Sequence, residues 1–321
     1  MLDRCVAVLL AQSVPPTQIV VVVGSDDPAP LPAGVRVVPL PHNPGYAAAA
    51  NAGIAALPPG TDVLLLNDDT VPRPGFVEAL CRARRAEGIY QPRILLHGGG
   101  GMLDNEGHAW FFDGFNIARG RGRSAPAGPP GAFSGAAVLL TAGLLEAVGG
   151  FDEDLGSFGE DADLSLRALR RGFPIVAVPG ATIEHVLGAS WGRGGARKVY
   201  LVERNRLRLA LRSLPATAVA TLPLWTTLRL GLLGAAALSG QGPGATAGAT
   251  GALASVAGMA AGLAAAPDAL RKRREDAAHW TVGETDTWRA LWRTRAGRAE
   301  LRARLPQPSG EASGGSSGRS A

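Results

Sequence analysis

Val63-Leu64-Leu65-Leu66-Asn67-Asp68-Asp69-Thr70 is the stretch from which the fold can be read. Four apolar residues run straight into two adjacent carboxylates, and Pro72 and Pro74 follow. A short apolar run bounded by turn residues reads as a buried strand of a parallel sheet. Carboxylates at the C-terminal end of such a strand sit where open α/β sheets bind their ligands. Two negative charges at that edge are costly unless something positive joins them, and a divalent cation is the obvious candidate. A solvated turn after a strand accounts for the same letters equally well, because Asp is common in turns. The rest of the chain has to separate the two readings.

The flanking segments alternate. Upstream, Leu2 to Gln12 has helical periodicity, Ile19 to Val23 is a run of β-branched residues, and Val35 to Val38 is another short strand. His42-Asn43-Pro44-Gly45-Tyr46 reads as a glycine turn opening an Ala-rich helix, closed by Pro58-Pro59-Gly60. Downstream, a helix over Phe76 to Ala86 precedes a strand over Gln91 to Leu96. His97 to Gly131 is glycine-rich and irregular, with Trp110, Phe111, Phe112 and Phe115 inside it, and a loop of that length is usually functional or mobile. Ser134 to Leu140 reads as a strand, Leu144 to Val148 as a short helix, and Asp163 to Arg171 as a helix stopped by Gly172. Strands over Ile175 to Val178 and Thr182 to His185 follow, then a basic amphipathic helix over Val199 to Leu214. The alternation predicts an α/β fold with a mostly parallel sheet, flanking helices and right-handed crossovers.

With 321 residues and 46% hydrophobic content, the chain can build one large domain with an appendage. The net charge of +5 is unevenly spread. Residues 1–192 carry 13 Lys+Arg against 19 Asp+Glu, while 193–321 carry 19 against 8. The basic half suggests an anionic lipid surface or nucleic acid, although almost all its cations are Arg, as compositional bias would also give. No aromatic-interleaved basic patch or nucleic-acid motif is present, so nucleic acid is not expected as a partner. Two cysteines, Cys5 and Cys81, form no disulfide framework and no metal spacing, which fits a reducing cytosol. Asp3 and Arg4 interrupt the start, and no signal peptide is expected.

After Pro215 the composition changes. Residues 218–239 are apolar with the single charge Arg229, and 245–266 are rich in Ala and Gly. Basic residues bracket the pair, with Arg204, Arg206, Arg208 and Arg212 before it and Arg271-Lys272-Arg273-Arg274 after it, which places both ends at a cytoplasmic face. Arg229 penalises a mid-bilayer position, so an interfacial hairpin touching anionic lipid is favoured over two spans. Two soluble core helices remain an alternative. The expected division is a catalytic domain over 1–214, a membrane-associated hairpin over 215–275, a basic amphipathic helical segment over 276–306, and a disordered tail over 307–321.

Three further features point to the end of the Val63 strand. Asn43-Pro44-Gly45-Tyr46 opens a helix containing Asn51, and a helix N-terminus after a glycine turn presents free N–H groups to phosphate, though an ordinary cap explains it equally well. Phe158-Gly159-Glu160-Asp161-Ala162-Asp163 puts three acids before a helix. Plain N-terminal helix chemistry explains them, and so does a general base kept ionised by the helix end. His185, at a strand end, could complete a cation site opposite Asp68–Asp69; a lone His is more often structural.

In this order the motifs resemble glycosyltransferase family 2, the inverting GT-A fold enzymes, and in particular its rhamnosyl- and galactofuranosyl-transferase-like members. The resemblance covers residues 2–214, about two thirds of the chain. It rests on Asn43-x-Gly45-Tyr46 with Asn51 five positions on from Tyr46, Leu66-Asn67-Asp68-Asp69, Ser134-Gly135-Ala136, Gly149-Gly150-Phe151-Asp152-Glu153, Glu160-Asp161-x-Asp163-Leu164 with Arg167, and His185. Arg197, Tyr200, Arg204 and Asn205 follow at the usual place. Any one motif is weak; six in order are specific.

The resemblance implies that Asn67-Asp68-Asp69 is the DXD-type motif, with Asp69 and His185 holding Mg2+ or Mn2+ on the donor diphosphate. Asp68 would lie near the ribose or sugar, and Asn43, Gly45, Asn51 and Asn67 would serve donor binding. Asp161 would deprotonate the acceptor hydroxyl. Glu160, Ser134, Gly135, Arg197, Tyr200 and Arg204 would face sugar or acceptor, and residues 97–131 would line the acceptor side. The implied activity is transfer of a sugar from a nucleotide-sugar donor to a lipid-linked or cell-envelope polysaccharide acceptor, at the cytoplasmic face of a bacterial plasma membrane.

The chain departs from that pattern twice. Family members begin with a strand and a Thr-Tyr-Asn-like segment that holds the nucleotide base, whereas Met1 stands in the helix after it, so either the true start lies upstream of Met1 or the domain lacks its first strand. The Asp that usually ends the second strand is replaced by Val23 or Gly24, and the nearest acid is Asp26. Both departures fall on nucleotide recognition and leave two alternatives open. One is a degenerate membrane-bound scaffold without donor binding. The other is a nucleotidyltransferase, which would want a basic glycine-rich loop after the first strand that this chain lacks.

Overall fold

A computed structural model describes residues 1–24, 31–122, 128–186, 195–238, 244–297 and 300. The expected tail over 307–321, Asp26, Gly188 and the linker over 240–243 lie outside the described residues.

The chain opens with α1 (Leu2–Leu10), β1 (Ile19–Val23), β2 (Val35–Pro39), α2 (Tyr46–Ala55) and β3 (Val63–Leu66). Next come β4 (Thr70–Pro72), α3 (Phe76–Ala83), β5 (Ile89–Leu96), β6 (Leu103–Asn105), β7 (His108–Trp110), β8 (Asn116–Ala118) and β9 (Ala137–Leu140). The catalytic-domain segment closes with α4 (Ala142–Val148), α5 (Glu160–Arg170), β10 (Ile175–His185) and α6 (Ala196–Ser213). The remainder is helical: α7 (Ala216–Ala220), α8 (Leu222–Leu238), α9 (Gly244–Ala264), α10 (Ala266–Ala277) and α11 (Glu284–Arg293).

The architecture is α/β, but the sheet is mixed rather than mostly parallel. Its main path runs β3-β9-β5-β10-β4, with β6 added on β5. Among the described residues only β1 with β2 and β5 with β10 pair in parallel. The Val63 strand, expected in a parallel ladder, is antiparallel to β9, with Val63 opposite Leu140 and Leu66 opposite Ala137. A continuous apolar run reports burial on both faces and not strand direction. The two strands expected over Ile175–Val178 and Thr182–His185 form one strand, because the Pro179-Gly180 kink is absorbed as a register shift in its pairing with β5. Thr70–Pro72, expected as a turn, is a strand, and its pairing with β10 places His185 opposite Thr70. The irregular stretch from His97 contains three short strands.

The sheet is also split. β1 is bonded to β2 alone and β3 to β9 alone, and among the described residues no strand lies between them. Both open edges line a cavity of about 1480 Å3, whose wall is completed by Cys5, Val6 and Leu9 of α1. That volume exceeds the roughly 300–1,000 Å3 of ordinary ligand pockets. It runs from the apolar gap between the strands to Asn67, Asp68, Asp69, Arg121, His185 and Lys198 at its mouth.

The helices after Pro215 pack onto the α/β part. α9 lies along α6 through its small residues: a Cβ on Gly258 would stand 2.4 Å from the Tyr200 carbonyl oxygen, and one on Gly262 2.8 Å from that of Arg204. Arg229 of α8 is buried, with Nε 2.6 Å from Asp113 and Nη1 2.9 Å from Glu203. The opposite face of α9 exposes Leu253, Val256 and Leu263, and α8 exposes Leu224 and Leu228. Among the described residues no single helix is long and apolar enough to cross a membrane; residues 249–264 and 266–277 pass by length and composition only as a pair bent by 53°.

Candidate active site

The cation-site residues meet because of strand register. Asp69 immediately precedes β4, and the antiparallel β4–β10 pairing, which sets His185 opposite Thr70, carries His185 beside it. His185 Nε2 lies 3.3 Å from Asp69 Oδ1, and the Val186 N–H donates to the Asp69 carbonyl at 3.0 Å. The other ring nitrogen, Nδ1, is 2.9 Å from Oδ2 of the buried Asp104 on β6, which also pairs with Arg121. Burial by itself would lower the His185 pKa; the flanking Asp104 and Asp69 carboxylates override it and push it up to about 9. Burial raises Asp104 in turn, but His185 and Arg121 hold it below the usual carboxylate range. Asp68 is exposed and lines the cavity mouth.

Asp69 and His185 fit a divalent cation. The Asp69 Oδ1 atom is buried without a hydrogen bond, its contact with His185 being an ion pair of poor alignment. An oxygen and an imidazole nitrogen are suitable donors for Mn2+, with Asp104 fixing the ring as carboxylates do behind metal-bound histidines. Among the described residues no group of three or more His, Cys, Asp or Glu side chains is arranged to hold a metal. The two ligands therefore need a partner with further oxygens, as phosphate-bound Mg2+ sites do.

Asp161 belongs to the first turn of α5 and is oriented from both sides. The Ala162 N–H donates to Oδ1 at 2.7 Å and the Gly135 N–H to Oδ2 at 3.2 Å. The Ser165 hydroxyl closes the turn on the Asp161 carbonyl while accepting from the Phe133 N–H. Segment 134–136 joins this carboxylate to Asn67-Asp68-Asp69, since the Asn67 N–H donates to the Ala136 carbonyl at 3.0 Å. Gln91 holds Ser134 through its backbone N–H, and the Tyr46 hydroxyl donates to the Gly135 carbonyl at 2.6 Å. Glu160 is buried beside Asp161, and burial together with the Asp161 and Asp163 charges raises its pKa well above the ordinary carboxylate value.

The turn that delivers these acids is built against steric preference. Gly156, Phe158 and Gly159 all have positive φ, and at Phe158 (φ 68) this costs on the order of 1 kcal/mol or more. The buried Asn205 amide compensates, donating to the carbonyls of Leu155, Ser157 and Phe158. Gly45 (φ 99) must lack a side chain, because a Cβ there would meet Gly156 at 3.0 Å.

Other expected site residues are bound to structure nearby. Asn43 Oδ1 accepts from the Gly45 N–H. The Asn51 amide is spent on Phe151 and Glu153. Arg204 donates to the carbonyls of Asp154 and Leu155 and to Asn205. Arg197 is exposed and Tyr200 half-buried on the first turns of α6, whereas their neighbour Lys198 lines the cavity with its ammonium 4.9 Å from the Phe158 ring centre. Asp104, Arg121, Lys198 and His108 are the site neighbours that motif reading misses. Three of them stand singly in the glycine-rich segment, where no periodicity or spacing marks them.

The model of the family described as "Glycosyltransferase like family 2" matches residues 1–208. A pre-mycofactocin glycosyltransferase of Mycobacterium tuberculosis is 33% identical over 51% of this chain, which spans about a third (34%) of that relative. An N-acetylglucosaminyl-diphospho-decaprenol L-rhamnosyltransferase of the same organism is 31% identical, over 60% of this chain and 71% of the relative. A solved mannosyltransferase from Pyrobaculum calidifontis, in complex with GDP-Man and Mn2+, superposes with a TM-score of 0.46 at 17% identity, over 84% of this chain and 83% of that one. The chain belongs to glycosyltransferase-like family 2.

Proposed function

We propose that this chain is an inverting, metal-dependent glycosyltransferase that moves a sugar from a nucleotide-sugar donor to a lipid-linked or cell-envelope polysaccharide acceptor. The observation that carries the reading is the division of labour at the cavity mouth. An Asp69–His185 pair suited to a cation stands at one end of segment 134–136, and a backbone-oriented Asp161 stands at the other. A divalent cation held by Asp69 and His185 would neutralise the charge of the departing nucleoside diphosphate.

The chain's own residues do the rest. Asp161, oriented by two N–H donors at the start of α5, takes the proton from the acceptor hydroxyl. The acceptor oxygen then bonds to the anomeric carbon as the bond to phosphate breaks, and a single displacement inverts that centre. No second carboxylate nucleophile is required. Arg121 and Lys198 at the mouth add positive charge facing the diphosphate. Glu160, whose carboxyl is pushed well above the ordinary carboxylate range by burial and by the Asp161 charge, is biased toward the protonated form that can donate a hydrogen bond to a sugar hydroxyl.

The chain's second half supports the proposed acceptor class and location. Leu224, Leu228, Leu253, Val256 and Leu263 form an uncharged outer face on α8 and α9, next to a strongly basic composition. Such a face suits peripheral docking on an anionic bilayer at the cytoplasmic side, with lipid-linked acceptors at hand. The test is calorimetry of nucleoside diphosphate with and without Mn2+: metal-dependent binding lost in Asp69→Ala supports the reading, and metal-independent or absent binding to the wild-type protein opposes it.

A further inference from the structure

His108 lies on β7, and its role is not legible from any motif. Its main chain is fastened to the segment that orients Asp161: the His108 N–H donates to the Ala132 carbonyl at 2.7 Å, and the Gly131 N–H donates to the His108 carbonyl at 2.8 Å. Two residues beyond Ala132 the same segment reaches Ser134-Gly135, whose Gly135 N–H grips Asp161 Oδ2. The imidazole Nδ1 stands 3.8 Å from that same Oδ2 atom, with both side chains mostly buried at 18% and 13% exposure. One short strand and one turn thus aim an amide hydrogen and an imidazole at a single carboxylate oxygen.

We propose that His108 is the positioning and proton-accepting partner of Asp161, forming a carboxylate–imidazole pair that serves the general base; this rests on the transferase reading above. The acceptor O–H bond breaks and its proton moves to Asp161 Oδ2. The acceptor oxygen forms its bond to the anomeric carbon, and the carbon–oxygen bond to phosphate breaks with its electron pair leaving on the diphosphate. The proton then passes from Oδ2 to Nδ1 of a neutral His108 as the 3.8 Å gap closes to hydrogen-bond reach in the substrate-loaded site, and the resulting imidazolium releases a proton to solvent, which restores both groups. The charged and titratable groups facing the imidazole are Asp161, with Glu160 beside it on α5, and Asp104 on β6, whose carboxylate interacts electrostatically with His108. The Asp161 and Asp104 carboxylates favour the transient imidazolium.

The test compares wild type, His108→Gln, His108→Ala and Asp161→Asn in the full chain. His108→Gln and His108→Ala are expected to lower kcat about ten- to a hundredfold with the donor KM unchanged, and to remove the upper-acidic limb of the kcat–pH profile. Added imidazole is expected to restore part of kcat in His108→Ala alone. Because β7 is held through main-chain bonds, these variants should fold; histidine NMR titration of the wild-type and Asp161→Asn proteins gives a measure that does not depend on them, and the His108 midpoint should fall when Asp161 loses its charge. Unchanged kcat and pH profile in folded His108 variants, or a His108 midpoint indifferent to Asp161→Asn, would overturn the proposal. If Asp161→Asn itself keeps turnover, the transferase base assignment has failed, which is a separate result from the failure of His108.

Discussion

His185 stands between two carboxylates, 3.3 Å from Asp69 and 2.9 Å from Asp104, because an antiparallel pairing of β4 with β10 and a short β6 bring three sequence-distant residues to one sheet edge. The arrangement gives the imidazole an orientation as well as a partner. Nδ1 faces Asp104, so Nε2 is the atom aimed at Asp69 and at any cation there.

Asp104→Asn should therefore weaken Mn2+-dependent nucleoside diphosphate binding by about ten- to a hundredfold while Asp69 and His185 are untouched, as loss of a carboxylate that orients a metal-binding histidine does elsewhere. Calorimetry measures it. Equal affinity in the variant would remove Asp104 from the site.

The same pair of carboxylates makes metal-free stability depend on pH. The His185 pKa is raised from 6.5 in the unfolded chain to about 9 in the fold, so the charged form is favoured by folding. Its stabilisation, on the order of 3 kcal/mol, is fully present below about pH 6.5 and is lost as pH rises through about 9. Guanidinium unfolding in EDTA at pH 6 and pH 9.5 should show that loss in the wild type and a much flatter response in His185→Asn. A variant that loses as much as the wild type would contradict it. Mn2+ competes with the proton for the imidazole, so metal affinity should rise across the same window.

Arg229 tests the docking of the C-terminal helices. It is buried and ion-paired with Asp113 and Glu203, so Arg229→Met leaves two buried acids sharing Arg206. A destabilisation of about 3–5 kcal/mol is expected in chemical denaturation. A near-neutral result would mean that α8 is not held against the acceptor-side segment in solution.

Membrane docking is checked by sedimentation with anionic vesicles. The wild-type chain should pellet with them, less so as salt is raised, and the triple change Leu253→Ser, Val256→Ser, Leu263→Ser should stay in the supernatant while remaining folded. Equal pelleting of both proteins would dissociate the exposed α9 face from lipid binding.

How far the sequence speaks for itself can be followed at Asp69. Its position at the end of an apolar strand was readable from Val63 to Leu66, and so was the acid-rich start of α5, because both depend on local pattern. The strand's direction was not, since burial on both faces erases the alternation that would reveal its neighbours. Thr70–Pro72 reads as a turn because Pro72, with Pro74 just beyond it, hides a strand that exists only through pairing with β10. Asp104 and His108 were invisible for a similar reason: each is a single polar residue in a glycine-rich stretch, given meaning by contacts 81 and 53 positions away along the chain. Arg229 read as a charge inside an apolar helix, and its partners at Asp113 and Glu203 could not be seen in the sequence.

The most direct measurement is single-turnover transfer by Asp161→Asn with Mn2+, together with nucleoside diphosphate binding by the same protein. The account predicts a loss of transfer of at least about a hundredfold with metal-dependent binding intact. Retained turnover in a folded Asp161→Asn protein would contradict it.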